Sequence, residues 1–209
     1  MLERFTKRPL SHSQLSAWEY DKAEWFDRYV LGKTSPPTPN MVFGSKIGDA
    51  IGTDDSPIPE LNPPGVKEYP VRATVEGIEC VGFIDHFCPD TLELHENKTS
   101  DNPKRWSQGK ADKHTQIDMY LLLLYLQDGI PPEHVTAYLN FIQTRPTGLG
   151  YRLHKEPKWK QFRLATKTMA DLDSYTEYVV STVEAMHKYI EERSQVSTPA
   201  PSAPVFKGV

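Results

Sequence analysis

The sequence predicts an α/β domain, a central mixed β-sheet flanked by helices. Three observations carry that prediction. A strand meander of period two lies between Val71 and Lys98, a helical stretch with a thick apolar face covers Thr115–Gln127, and a long amphipathic stretch over Lys167–Arg193 closes the ordered part of the chain. The 209 residues, 38% of them hydrophobic, suit one domain over residues 1–194 with a sizeable core, followed by a Pro/Ser/Ala-rich tail at 195–209 that is expected to be disordered.

In chain order, Ser11 to Gly32 reads as helical, with a break near Asp21 and Gly32 as its stop. Leu15, Trp18, Trp25, Phe26, Tyr29 and Val30 give it an apolar face that is expected to be core. A proline-rich loop follows, then a short helix over Met41–Ile51. Four prolines make Thr53–Gly65 a loop. Val71–Val75, Ile78–His86 and Thr91–Lys98 read as three successive strands, the last two joined by a turn at Cys88–Pro89–Asp90. Ser100–Lys113 is a polar, basic linker. His134–Thr144 is a further strand, and Gly150–Leu164 supplies one or two more.

Composition narrows the function. The opening Met-Leu-Glu-Arg-Phe-Thr-Lys-Arg has no apolar run behind its charges, and the Leu121–Leu126 run is too short to span a bilayer, so a soluble, cytoplasmic protein without membrane association is expected. Cys80 and Cys88 cannot by themselves ligate an iron–sulfur cluster or a structural zinc, and both are expected to be buried free thiols. A net charge of -4 provides no global field for nucleic acid, so DNA contact requires a local basic patch.

The informative segment is Gly82–Phe83–Ile84–Asp85, followed by Glu96–Asn97–Lys98–Thr99. Glu96 and Lys98 are two apart on a strand and leave the same face, and a short hairpin brings Asp85 alongside Glu96. Two converging carboxylates form a hard-oxygen site for Mg²⁺ or Mn²⁺, and a lysine beside them can contact a scissile phosphate. Alternating charges occur on many solvated strand faces, so Glu-x-Lys alone is weak. Its company strengthens it: the preceding Gly-x-x-Asp, the basic linker and the helix opening Gln116–Ile117–Asp118–Met119–Tyr120.

With those residues in place, the chain resembles the PD-(D/E)xK nuclease superfamily, in its RecB-like branch, which includes CRISPR-associated RecB-like exonucleases. Asp85 with Glu96–Asn97–Lys98 looks like the superfamily's catalytic Asp and Glu-x-Lys, and Gln116-x-x-x-Tyr120 looks like the branch's Gln-x-x-x-Tyr. Ser13–Gln14–Leu15–Ser16 through Arg28–Tyr29–Val30–Leu31–Gly32 is similar to its opening helix. The resemblance implies a restriction-endonuclease-like core and metal-dependent DNA hydrolysis, with Asp85 and Glu96 as metal ligands. It also implies that Gln116 and Tyr120 hold DNA or brace the metal site. Lys104, Arg105, Lys110 and Lys113 are candidates for phosphate contacts, and Trp106 for stacking on an unpaired base.

The chain departs from the family in three places. Gly48 stands where Gly-x-x-x-His would put a metal-binding histidine, so Asp49 is the substitute ligand expected, although one position turns a side chain about 100° round the helix. Asp21–Lys22 replaces the Cys-Pro of cluster-bearing relatives and the late cysteine group is missing, so no iron–sulfur cluster is expected. No helicase motif accompanies the nuclease motifs, which suits a stand-alone exonuclease in recombination, repair or phage DNA processing. The rival reading is a catalytically silent DNA-binding or scaffold module on the same fold. Pro199, Pro201 and Pro204 are compatible with a tail that recruits a recombination or replication protein.

Overall fold

The computed structural model describes residues 8–148 and 150–196, apart from the side chains at 105 and 196. The opening helical region divides where its sequence breaks. Helix α1 (His12–Tyr20) ends at Asp21, an extended residue whose carboxylate caps the next turn by accepting the N–H groups of Ala23 and Glu24 at 2.8 and 3.1 Å. Helix α2 (Lys22–Trp25) widens into a π-type turn over Phe26–Val30, and Gly32 stops it with φ 72°. Helix α3 (Pro39–Ala50) starts two residues before the expected position. Pro39 occupies its first turn, where no N–H is needed, and Thr38 accepts the N–H of Met41.

Five strands form one sheet in the order β1-β2-β3-β4-β5. β1 (Val66–Val75), β2 (Ile78–Cys88) and β3 (Glu93–Ser100) make an antiparallel meander. β1 starts five residues earlier than the period-two pattern implies, because its first half alternates between exposed and half-buried side chains instead of apolar and polar ones. β2 likewise runs to Cys88, which is half-buried rather than buried, while Cys80 is fully buried. β3 pairs parallel to β4 (Thr136–Thr147), which pairs antiparallel to β5 (Gly150–Arg163). The Gly150–Leu164 segment is therefore a single strand, with one register shift opposite Gln143/Thr144. The sheet is mixed, as the sequence predicts.

Between β3 and β4 the basic linker takes up structure. A 3₁₀ turn (Pro103–Arg105) and the one-turn helix α4 (Gln108–Ala111) lead into α5 (Thr115–Asp128), whose end is capped by Gly129 at φ 70°. Helix α6 (Met169–Val196) closes the domain. The tail expected from residue 195 thus starts with two helical positions, and 197–209 lie outside the described residues. Among the described residues no helix is long and apolar enough to cross a membrane.

Alternation divides the core between the two sheet faces. Val71, Ile84, Leu94, Leu139 and Phe141 pack with α5 and α6 in the larger core, whereas Ile142 turns to the other face and packs with Ile47 and Ile51 of α3. Helix α3 approaches β3 so closely that a Cβ at Gly44 would lie 2.8 Å from Thr99 Oγ1. Across β3, β4 and β5 runs a row of amides in which Asn140 is fully buried: its Nδ2 donates to Asn97 Oδ1 and its Oδ1 accepts from Gln161 Nε2, both at 3.0 Å. Leu123 lies at the centre of the larger core with no exposed surface. Leu123→Ala is expected to cost about 2–5 kcal/mol of stability, read from the urea midpoint with an unchanged m-value.

Candidate active site

The site forms where β2 and β3 part. The two strands pair from Cys88↔Glu93 through His86↔His95, and there the ladder ends. Asp85, next in register to Glu96, bridges the opening: its Oδ2 accepts the backbone N–H of Asn97 at 2.6 Å. The pleat also turns over at this point. Ile84 and Phe87 both face the larger core, while His86 between them points to the α3 side, with its Nε2 2.6 Å from where a Cβ at Gly52 would lie. Across the β1–β2 register, Glu68 falls opposite Asp85 and takes φ 51°, a left-handed backbone rare for a non-glycine residue. A local kink shared by two strands thus aims Asp85 at Glu96.

Glu96 and Lys98 leave the same face of β3, with Lys98 Nζ donating to Glu96 Oε1 at 2.5 Å. Lys98 is held from the other side by Gln116 Oε1 at 2.7 Å. Gln116 Nε2 in turn donates to the Tyr120 hydroxyl, and that hydroxyl donates to the carbonyl of Phe83, each at 2.6 Å. The i, i+4 pair on α5 therefore braces the lysine and ties it back to β2 just before Asp85. Gly82 makes the tie possible, since a Cβ there would meet the Tyr120 ring at 2.7 Å. The sequence-predicted Asp85, Glu96, Lys98, Gln116 and Tyr120 are brought together.

The electrostatics describe a site overloaded with buried acid. Glu96 is 2% exposed, and burial, with repulsion from Asp85 and Glu68, pushes its carboxyl up to about 7 despite Lys98. Its Oε2 is buried and, among the described residues, meets no hydrogen-bond partner. Burial also raises Asp85, with the Asn97 N–H, Lys98 and Lys67 pulling the other way and Asp49 adding to the rise. Glu68 is raised by burial and by the neighbouring Asp85 and Asp49. No sequence pattern pointed to Glu68, which lies beside Tyr69–Pro70 in the poorly patterned half of β1. Asp49 is an exposed residue near the end of α3, its backbone carbonyl taken by Lys67, while open space surrounds Gly48.

Among the described residues no three His, Cys, Asp or Glu side chains form a cage for a metal ion. The donor set nevertheless suits Mg²⁺, which keeps several waters and needs one or two carboxylates beside a substrate phosphate. Asp85 and the unpaired Glu96 Oε2 provide them, and a dication there would offset the mutual repulsion of the acids.

A cleft of about 550 Å³ opens beside Lys98 and Gln116, walled by His12, Tyr20, Arg28 and His114. Burial and the nearby Lys98 bring His12 down to about 4 and His114 to about 3, so both rings are neutral near pH 7. His114 stacks between His12 at 6.1 Å and Trp106 at 5.8 Å, and Trp106 continues the row to Phe141. Trp106 is therefore half-buried in a ring stack rather than free on a loop. Lys104, Lys110 and Lys113 are solvent-exposed, and the Arg105 side chain lies outside the described residues. His95 points away from the site, buried and stacked on Tyr138 at 4.7 Å.

No protein-family model matches the sequence, and no curated protein does. Solved structures match its fold. A candidate exonuclease from Eubacterium rectale aligns with a TM-score of 0.57 at 9% identity, over 88% of this chain and 81% of that one. A phage-related exonuclease from Haemophilus somnus 129PT aligns with a TM-score of 0.50 at 12% identity, over 92% and 93%. At such identities the likeness establishes the architecture, a restriction-endonuclease-like core.

The raised Glu96 carboxyl has a thermodynamic consequence. Below its unfolded value of 4.5 it is protonated in both states and costs nothing, and as pH rises to about 7 the folded state keeps a proton that the unfolded state releases. Through Glu96 the metal-free protein is therefore expected to lose stability across that window, on the order of 3 kcal/mol, and Glu96→Gln to remove that share of the loss. Urea midpoints measured on either side of the window check it, and parallel pH profiles for the two proteins would contradict it.

Proposed function

We propose that this chain is a divalent-metal-dependent DNA nuclease of the PD-(D/E)xK superfamily, RecB-like branch, acting as an exonuclease in recombination, repair or phage DNA processing. One observation carries the reading: Asp85 and Glu96 converge where two strands part, with Lys98 clamped between Glu96 and Gln116. The match in architecture to two solved proteins described as exonucleases supports it.

Asp85 and Glu96 would hold Mg²⁺ or Mn²⁺, which supplies charge neutralisation at the phosphate and activation of water. The protein's own groups position the reaction. Lys98 presents its ammonium to a phosphate oxygen as a fixed point charge, because Gln116 and Glu96 leave it little freedom. Tyr120, anchored on the Phe83 carbonyl, fixes the Gln116 amide so that its oxygen faces the lysine. Asp85 keeps β2 and β3 at a set separation through the Asn97 N–H. The neutral His12 and His114 add no positive charge that would compete with Lys98 for the phosphate. The strand to be cut enters along the adjoining cleft, as single-stranded DNA or as the end of a duplex.

Labelled single- and double-stranded DNA incubated with Mg²⁺ or Mn²⁺ tests the proposal. Wild-type protein is expected to cleave, and Asp85→Ala and Lys98→Ala to lose at least ~10²-fold of the rate; cleavage undiminished in both variants would refute it. Gly82→Ala is expected to slow cleavage by about 10-fold by displacing Tyr120 and loosening Gln116, with DNA affinity retained.

A further inference from the structure

β5 concentrates positive charge in a chain that is acidic as a whole. It carries Arg152, Lys155, Lys158, Lys160 and Arg163 against Glu156 alone, within a sequence of net charge -4. All five are exposed, and among the described residues neither Lys158 nor Lys160 meets a carboxylate. The field is felt locally: His154 is held below its ordinary value by burial and by Lys158, Arg145 and Arg152.

The register connects this charge to the candidate active site. Lys98 pairs with Phe141, and Phe141 with Lys160; two residues along, Ser100 pairs with Gln143, and Gln143 with Lys158. Partners in register share a face, so Lys158 and Lys160 project on the side that carries Glu96 and Lys98. Lys160 stands two strands, about 10 Å, from Lys98. Three stacked nucleotides span that distance at ~3.4 Å each. Lys158 and Lys160 line a hollow of about 260 Å³ together with Pro103, Trp106, Phe141 and Phe162, and Gln143 and Trp159 complete it. Lys160 Nζ sits over the Phe162 ring at 4.6 Å.

We infer that Lys158, Lys160 and Trp106 form a binding track for single-stranded DNA that continues from Lys98 across β4 to the edge strand. The inference rests on the nuclease reading. Ammonium groups spaced along a line neutralise successive phosphates, and an aromatic-lined hollow beside them accepts an unpaired base by its face. A duplex keeps its bases stacked inside and leaves such a hollow unused, so single strands are the ligand the geometry favours. Continuity with the catalytic face makes the track a means of holding the strand in register with the scissile phosphate.

Fluorescence anisotropy in EDTA, where no cleavage occurs, tests the track directly. The probe is fluorescein-labelled oligothymidylate of about 16 nucleotides, titrated across a range of salt. Lys158→Ala/Lys160→Ala is expected to weaken binding at least ~10-fold and to lower the log–log salt slope by about 1.4, two phosphates' worth for a single strand. The control, Arg72→Ala/Lys188→Ala, removes the same charge elsewhere and is expected to leave both unchanged. Equal losses in the two double variants, no loss in the first, or a loss confined to a blunt hairpin duplex would each overturn the track. Cleavage with Mn²⁺ is scored separately, so cleavage that depends on Lys98 with binding indifferent to Lys158 and Lys160 removes this inference alone. Binding that depends on them without any cleavage supports the track and counts against the nuclease.

Discussion

The parting of β2 from β3 governs the rest of the molecule. An antiparallel ladder that ran on past His86↔His95 would bind the backbone of Asp85 and Glu96 to each other and leave no opening between them. Here β3 leaves β2 and stays with β4 along its whole length, and a carboxylate takes the N–H that the ladder no longer satisfies. Buried backbone donors need partners, so the strand break and the acidic side chain are two aspects of one solution. The kink at Glu68 and the reversal of the pleat between Ile84 and Phe87 follow from it.

Around that opening the protein places more negative charge than its stability favours. Glu96 is buried with an unpaired oxygen, Asp85 and Glu68 press on it, and Lys98 offsets part of the repulsion. Such frustration is expected where a site is shaped for something bound and the fold elsewhere carries the cost. The brace supplied by Gln116 and Tyr120 is neutral, so it fixes the lysine without adding to the charge. The stacked rings of His12, His114 and Trp106 form a wall beside it that stays uncharged near neutral pH.

Much of this was legible in the sequence, and the reasons differ by element. Glu96 with Lys98, and Gln116 with Tyr120, were readable because the periods of strand and helix are fixed. Spacings of two and four therefore determine shared faces. The mixed sheet followed from meander, helix and further strands. The outer half of β1 was not readable, because a strand exposed along one edge has no apolar alternation to announce it, and Glu68 was lost with it. β5 was readable as strand but not as one strand, since Pro157 interrupts its pattern at an edge that tolerates proline. Its lysines were plain in the composition; their relation to Lys98 exists only through the pairing of three strands. Trp106 was expected on a polar, basic linker, and the turn at Pro103–Arg105 folds it against Phe141.

The row of amides from Asn97 through Asn140 to Gln161 has a consequence for how the sheet assembles. Hydrophobic strands slide past one another at little cost if every side chain is equally greasy, but a row of amides bonded through the buried Asn140 matches in one alignment alone. A slip of β5 by a single residue would move Gln161 to the opposite face, strand the Asn140 carbonyl without a donor and bring the ammonium of Lys160 to the α3 side. These amides act as registration marks, and the strand they align at one end is the one from which the acid and the lysine project.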